Sequence, residues 1–353
     1  MLVFGARSPY FVSINETGQT QAKIELYIWR KGETEPTTPN YVLTEGIPSL
    51  TNREVVFNIS PFVLQFFEFA NLGSITISEE NPEYWAFVGV ERFAFVDGDW
   101  VQLGTLNAYA TYGYSLYNET VNFNFADEYF GFIAPLKSML PEIYLPNERR
   151  YMNVMIEPAQ DTLVDYTVNG VTTTQTILEA GPDVCLCRVP LTLNNLTDEV
   201  TDVRIYQLDL GVEYTTRVRR ICEPKYTPVV VDFINRFGGW DFITFFKTRT
   251  DSVATESKTY RLNQSSWQYL PVVGESKEFN FTQTQRVKLS TGFVPETYND
   301  LIMQLMASQT VLLGGRPALV KTKSQTLKSQ LNNRLINYEV EFEMNYNLIN
   351  DMQ

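Results

Sequence analysis

Residues 222–246 read C-E-P-K-Y-T-P-V-V-V-D-F-I-N-R-F-G-G-W-D-F-I-T-F-F. Val229, Val230, Val231, Phe233 and Ile234 make a β-branched and aromatic run, which suits a pleated surface. Asn235 to Gly239 carries two glycines and reads as a turn. Trp240, Phe242, Ile243, Phe245 and Phe246 open a second strand. The stretch is therefore a β-hairpin with Arg236, Phe237 and Trp240 at its tip. None of these residues carries catalytic chemistry. They are candidate interface residues, to be buried either in their own domain or against a neighbouring subunit.

The same strand-and-turn grammar extends along the chain. Ile24, Leu26 and Ile28 alternate with Glu25, Tyr27 and Trp29, and Val55 to Ile59 reads as another strand. Ser60-Pro61 reads as a helix cap followed by a first helical residue. Asp97-Gly98-Asp99 and Asn169-Gly170 are hairpin turns between strand-like runs, and Gly314-Gly315-Arg316-Pro317 is a further turn. Val203 to Leu210 and Val212 to Ile221 are strand-like around Gly211. Pro295 to Ser308 is the one amphipathic helix, its stripe made by Tyr298, Leu301, Ile302, Leu305 and Met306. A last strand sets Ile336, Tyr338, Val340, Phe342, Met344, Tyr346 and Leu348 on one face. Its other face bears Glu339, Glu341 and Glu343, opposite in sign to Lys321, Lys323 and Lys328 on a strand expected over Leu319 to Leu327.

These signals add up to a mainly β protein. Two β-sandwich domains of immunoglobulin or fibronectin type are expected at 1–135 and 151–228, joined by a connector at 136–150 that holds Pro141 and Pro146. A C-terminal α+β assembly domain is expected at 229–353. The 353 residues suit two to three domains, and 44% hydrophobic with 14% aromatic content suits packed sheets.

Composition also narrows the chemistry. The chain has no histidine, which excludes Ser-His-Asp and Cys-His catalysis and histidine metal sites. Its 41 acidic and 28 basic residues leave a net charge of −13, unlike a nucleic-acid surface or one built for anionic membranes. Cys185, Cys187 and Cys222 are too few for a disulfide framework, and buried thiols are favoured over a three-thiolate metal site. Glu79, Glu80 and Glu83 form an acidic cluster that chance explains among 41 acids. The glycine pairs lack the Gly-Lys-Ser/Thr of a phosphate loop. No secretory leader pattern or bilayer-length apolar run is read, so the six Asn-X-Ser/Thr sequons are taken as products of composition. No enzyme, cofactor or metal is expected.

Cys222-Glu223-Pro224-Lys225-Tyr226-Thr227-Pro228 and Phe233-Ile234-Asn235-Arg236-Phe237-Gly238-Gly239-Trp240-Asp241 resemble a segment of virion structural proteins of tailed bacteriophages, chiefly those of Bacteroidetes-type hosts. Leu289-Ser290-Thr291-Gly292-Phe293, Ser308 after the helix, and Asn337-Tyr338-Glu339-Val340-Glu341-Phe342-Glu343 are similar to the same group. So are Ser8-Pro9-Tyr10-Phe11 and Phe57-Asn58-Ile59-Ser60-Pro61. The resemblance implies a tail, baseplate or neck-ring subunit, made in the host cytoplasm and incorporated into the virion. Its partners would be copies of itself and other virion proteins, with no sequence-specific nucleic-acid binding and no membrane insertion. The rival expectation is a tail-tip adhesin whose tryptophans stack on host glycan.

Overall fold

The computed structural model describes residues 1–30, 33–68, 85–128, 133–137, 140, 142–145, 150–181, 184–191, 200–220, 225–261, 276–325 and 335–349. The chain divides into two compact units, Met1–Arg220 with Ile234–Asp241 and Ile221–Phe233 with Phe242–Gln353. Residues 234–241, expected in a C-terminal domain starting at 229, thus belong with the first unit. The fold is mainly β, built from sandwich-like sheets with few helices.

The first unit begins with β1 (Val3–Gly5), β2 (Phe11–Ile14), β3 (Gln21–Trp29), β4 (Tyr41–Gly46), β5 (Val55–Asn58), α1 (Ser60–Glu68), β6 (Trp85–Val96) and β7 (Asp99–Thr111). One sheet runs β1-β7-β6-β3-β4, and β2 pairs with β5 in a separate ribbon. The alternation read in β3 is physical: Ala22, Ile24, Leu26 and Ile28 are all buried. They share one apolar core with Val12, Ile14, Val55, Phe57, Val63 and Phe67 from β2, β5 and α1, so sheet, ribbon and helix form two layers. A helix opens at Ser60-Pro61, with Ser60 as its first residue rather than its cap. The Ser60 hydroxyl accepts the Tyr10 N–H at 2.8 Å and donates to the Ser8 carbonyl at 2.5 Å. Asp97 and Gly98 have φ of 52° and 97° between the paired Val96 and Asp99, which makes Asp97-Gly98 a two-residue hairpin turn.

The unit continues with α2 (Phe125–Glu128), β8 (Ile133–Pro135), β9 (Glu142–Leu145), β10 (Tyr151–Ile156), β11 (Thr162–Val168), β12 (Val171–Leu178), β13 (Cys185–Pro190), β14 (Val200–Gln207) and β15 (Glu213–Arg220). Two sheets result, β13-β10-β8 and β12-β11-β14-β15-β9. Val164, Tyr166, Val203, Ile205, Tyr214 and Val218 alternate inward along β11, β14 and β15. The Tyr166 hydroxyl donates to the Pro190 carbonyl at 2.8 Å and ties the two sheets. Asn169-Gly170 makes the expected turn, with φ of 49° and 81°.

The second unit holds β16 (Val229–Ile234) up to Phe233, β17 (Trp240–Phe245) from Phe242, β18 (Arg249–Arg261), β19 (Ser276–Pro295), α3 (Tyr298–Ala307), β20 (Val311–Leu313), β21 (Arg316–Val320) and β22 (Leu335–Met344). Its sheet runs β17-β16-β20-β21-β22-β19-β18. Ile336, Tyr338, Val340, Phe342 and Met344 are buried, so the cleanest alternation in the sequence is a core strand. The strand stops at Met344, and Leu348 is exposed. Tyr298, Leu301, Ile302 and Leu305 of α3 are buried, the stripe read from spacing. The strand expected over Leu319 to Leu327 lies instead at Arg316–Val320, because the Gly314-Gly315 turn pairs Leu313 directly with Arg316. Lys328 lies outside the described residues.

Candidate functional site: a buried turn and an exposed ribbon

The turn between β16 and β17 is held by an Asn side chain. The Asn235 carboxamide oxygen accepts the Phe237 and Gly239 N–H groups at 3.0 and 3.1 Å, an Asx turn. Backbone bonds from Gly238 N–H to the Asn235 carbonyl and from Asn235 N–H to the Gly239 carbonyl close it. Glycine is required at both following positions. At Gly238, φ is +81° and an added Cβ would lie 2.6 Å from the Tyr112 nitrogen. At Gly239 the Cβ would lie 2.6 Å from the Leu136 oxygen.

The structure places the three candidate interface residues as follows. Phe237 is 2% exposed and meets the Phe125 ring edge-on at 5.4 Å, within a core that includes Trp85, Leu136 and Met155. Arg236 pairs with Glu119 at 2.7 Å, both side chains largely covered, and the Arg236 carbonyl accepts the Tyr114 N–H. Trp240 is half-buried, and its carbonyl accepts the Asn153 amide at 3.3 Å. Phe237 and Arg236 therefore pack against their own chain, and the turn is a plug in the first unit.

Sequence reading missed the polar group beside this plug. Lys137 and Asp241 form an ion pair at 2.5 Å, both essentially inaccessible to solvent. The other Asp241 oxygen accepts the Asn235 amide at 3.3 Å, and that amide also donates to the Leu136 carbonyl at 3.0 Å. Burial pushes the nearby Tyr214 hydroxyl up to about 12, with the Asp241 charge adding to the effect. Asp241 stood out in sequence only as an acid inside an apolar strand. Lys137, in an irregular connector, gave no signal.

The second feature is the β18–β19 ribbon. Arg249 to Arg261 pairs antiparallel with Ser276 to Leu289, and β19 pairs with β22 only from Arg286 onward. β18 is exposed along almost its whole length, including Val253 and Tyr260. Six bases (Arg249, Lys258, Arg261, Lys277, Arg286 and Lys288) stand on the paired segments against three acids (Asp251, Glu256 and Glu278), although the chain is acidic overall. At the ribbon's root the glutamate row of β22 is paired. Glu343 meets Lys321 at 2.6 Å and Arg286 at 2.9 Å, and Glu339 meets Lys288 at 2.6 Å. The Lys321 partner was legible from sequence; Arg286 and Lys288 were not.

Other candidate chemistry is placed as follows. Among the described residues no three His, Cys, Asp or Glu side chains gather as a metal site. Cys185 and Cys187 lie on β13, whereas Cys222, Glu79, Glu80, Glu83 and Trp267 lie outside the described residues. The outer face of β11, β14 and β15 carries an open dish of about 650 Å³. Its charges are paired, Arg217 with Asp202 at 2.7 Å and Arg204 with Asp165 at 3.8 Å. Among the described residues no helix is long and apolar enough to cross a membrane. Trp85 is fully buried, Trp29 stacks on Phe87, and Trp100 is 38% exposed but packs on Phe95 under the Lys23 ammonium.

No family model and no curated protein matches the sequence. Among solved structures, the chain is similar to one described as "Structural insight into host cell surface retention of a 1.5-MDa bacterial ice-binding adhesin". That match has 12% identity, covers 78% of this chain and 90% of that chain, and has a TM-score of 0.16. A superposition that loose carries no argument about fold or function.

Proposed function

We propose that the chain is an architectural subunit of a tailed-phage virion, part of a tail, baseplate or neck ring, acting through contacts with copies of itself and other virion proteins. The observation that carries the reading is the β18–β19 ribbon. Two strands alone are marginal in water, and an open strand edge is a template for another chain. A long ribbon with solvent along β18 gains little from its own unit. An edge strand that docks on a different face of the next copy makes the contact heterologous, as ring closure needs. The sequence likeness at 222–241 and 289–343 supplies the virion class. In this reading the chain is not an enzyme, and it is made in the host cytoplasm before incorporation.

The glycan-binding alternative needs an exposed aromatic platform. Among the described tryptophans only Trp100 is exposed beyond a third, and its ring is already packed.

The test has two parts. Purified chain is examined by analytical ultracentrifugation up to high concentration, and intact particles are examined by peptide mass spectrometry and electron microscopy. Rings or higher oligomers together with the chain's peptides in particles are expected. A strict monomer absent from particles would sink the reading.

A further inference from the structure

We infer that Lys137 and Asn235 are joined by an intramolecular isopeptide bond, formed with Asp241 as the proton carrier. Four requirements of amide exchange meet at one buried point. The nucleophile is the Lys137 amine. It lies 2.5 Å from one Asp241 carboxylate oxygen. The leaving group is the Asn235 amide nitrogen, 3.3 Å from the other Asp241 oxygen. The electrophile is the Asn235 carboxamide carbon. Its oxygen already accepts the Phe237 and Gly239 backbone N–H groups at 3.0 and 3.1 Å. Two backbone donors on a carbonyl that must become an oxyanion are the arrangement that stabilises tetrahedral intermediates in acyl transfer. Solvent is excluded: Lys137 is 1%, Asp241 2% and Asn235 0% exposed. The Asn235 amide also donates to the carbonyl of Leu136, which holds the Asn235 side chain against the backbone next to Lys137.

The step balances without oxidant or cofactor. The Lys137 ammonium passes a proton to the Asp241 carboxylate across their contact. The freed amine adds to the Asn235 carboxamide carbon, and the oxyanion is held by the two N–H groups. Asp241 returns a proton to the Asn235 nitrogen, the C–N bond breaks, and ammonia leaves. The proton shed by the attacking nitrogen stays on Asp241, ammonia leaves neutral, and no lone carboxylate remains in the pocket. One amide replaces another, and the lysine charge leaves a dry pocket where charge separation is costly. Holding both groups on one Asp241 carboxylate supplies the effective concentration that this otherwise very slow exchange lacks. The product ties the turn covalently to the bend just after β8, so pulling on the hairpin cannot extract the plug. The inference is independent of the virion reading.

An ordinary buried ion pair is the competing account, and mass separates the two. The intact full-length chain is expected about 17 Da below its sequence mass, one ammonia lighter. Trypsin then fails to cleave after Lys137, and the peptide 226–236 is recovered joined to the one that contains Lys137. Lys137→Arg and Asp241→Asn each restore the full sequence mass. Wild-type chain at its full mass overturns the inference whatever the variants do. A loss of about 18 Da mapping to Asp241 also overturns it, because that marks condensation on the aspartate with loss of water.

Discussion

The plug at 235–241 and the ribbon of β18 and β19 follow one another in the chain and spend their residues differently. The plug fixes a few side chains with two ion pairs, one of them fully buried, an Asx turn and two glycines that accept no Cβ. The ribbon has long paired strands and leaves β18 in water. The plug is over-determined by its own chain. The ribbon is under-determined by its own chain, which is why the proposed contact is placed on it. High aromatic content marked the first as an interface candidate, and the proposed contact lies instead on the second, where the sequence is polar.

The sharpest way to break this contrast is at Phe237. Its truncation to Ala empties a site bounded by Phe125, Leu136 and Met155. A loss of about 3–5 kcal/mol of unfolding free energy is expected, as for other buried Phe truncations. Urea denaturation measures it, and a loss below about 1 kcal/mol would mean that the plug is not seated in the core.

Gly238→Ala tests the backbone half of the same argument. The new Cβ meets the Tyr112 nitrogen at 2.6 Å in a left-handed conformation. Conformational strain and overpacking together predict a loss of about 2–4 kcal/mol. Gly98→Ala is the control: its φ is also positive, at +97°, but nothing lies within 4 Å of its Cβ. It should cost about 1–2 kcal/mol, from the left-handed strain alone.

The two regions also respond to opposite ends of the pH scale. Tyr214, beside Asp241, is raised by burial from 10.0 to about 12. A raised folded value stabilises the protein below the ordinary tyrosine range. That contribution is lost as pH climbs from about 10 through 12, so ultraviolet titration of Tyr214 should lag behind exposed tyrosines. Glu343 at the ribbon's root is lowered, first by its hydrogen bond to Lys321 and then by Arg286. Its contribution is present above the ordinary carboxylate range and is lost as pH falls through the lowered value. Lys321→Ala should move the Glu343 titration back up in an NMR pH series. An unmoved titration would show that the cross-strand pair is not formed in solution.

Sequence reading succeeded where one face of an element is buried and failed where neither or both are. β22 and α3 were legible because Ile336 to Met344 and Tyr298 to Leu305 repeat at the period of their structure. The hairpin turns at Asp97-Gly98, Asn169-Gly170 and Gly314-Gly315 were legible because positive φ demands those residues. β18 was not read as a strand at all. A strand wet on both faces has no apolar alternation to detect, and Thr250, Ser252, Thr255 and Ser257 give only polar text. The parallel pairing of β9 with β15 joins residues more than seventy positions apart and leaves no local trace. The Asn235, Asp241 and Lys137 cluster was invisible for the same reason. Only Asp241 broke its local pattern, and its partner is distant in sequence.

The smallest effect on stability belongs to Val253, and it tests the ribbon's role directly. Val253 is 56% exposed on β18 and lies opposite Gln285 in the ladder. Val253→Lys should change unfolding free energy by no more than about 0.5 kcal/mol, since exposed strand positions away from special features rarely do more. The same substitution adds a charge and a long side chain where a neighbouring strand would have to close over the ribbon, and self-association should weaken by about tenfold or more, each tenfold step being about 1.4 kcal/mol. Sedimentation equilibrium on wild type and variant reads both the monomer fraction and the shift. If the variant assembles as wild type does while Phe237→Ala disperses the oligomer, then the roles of the two regions are reversed and the plug, not the ribbon, governs assembly.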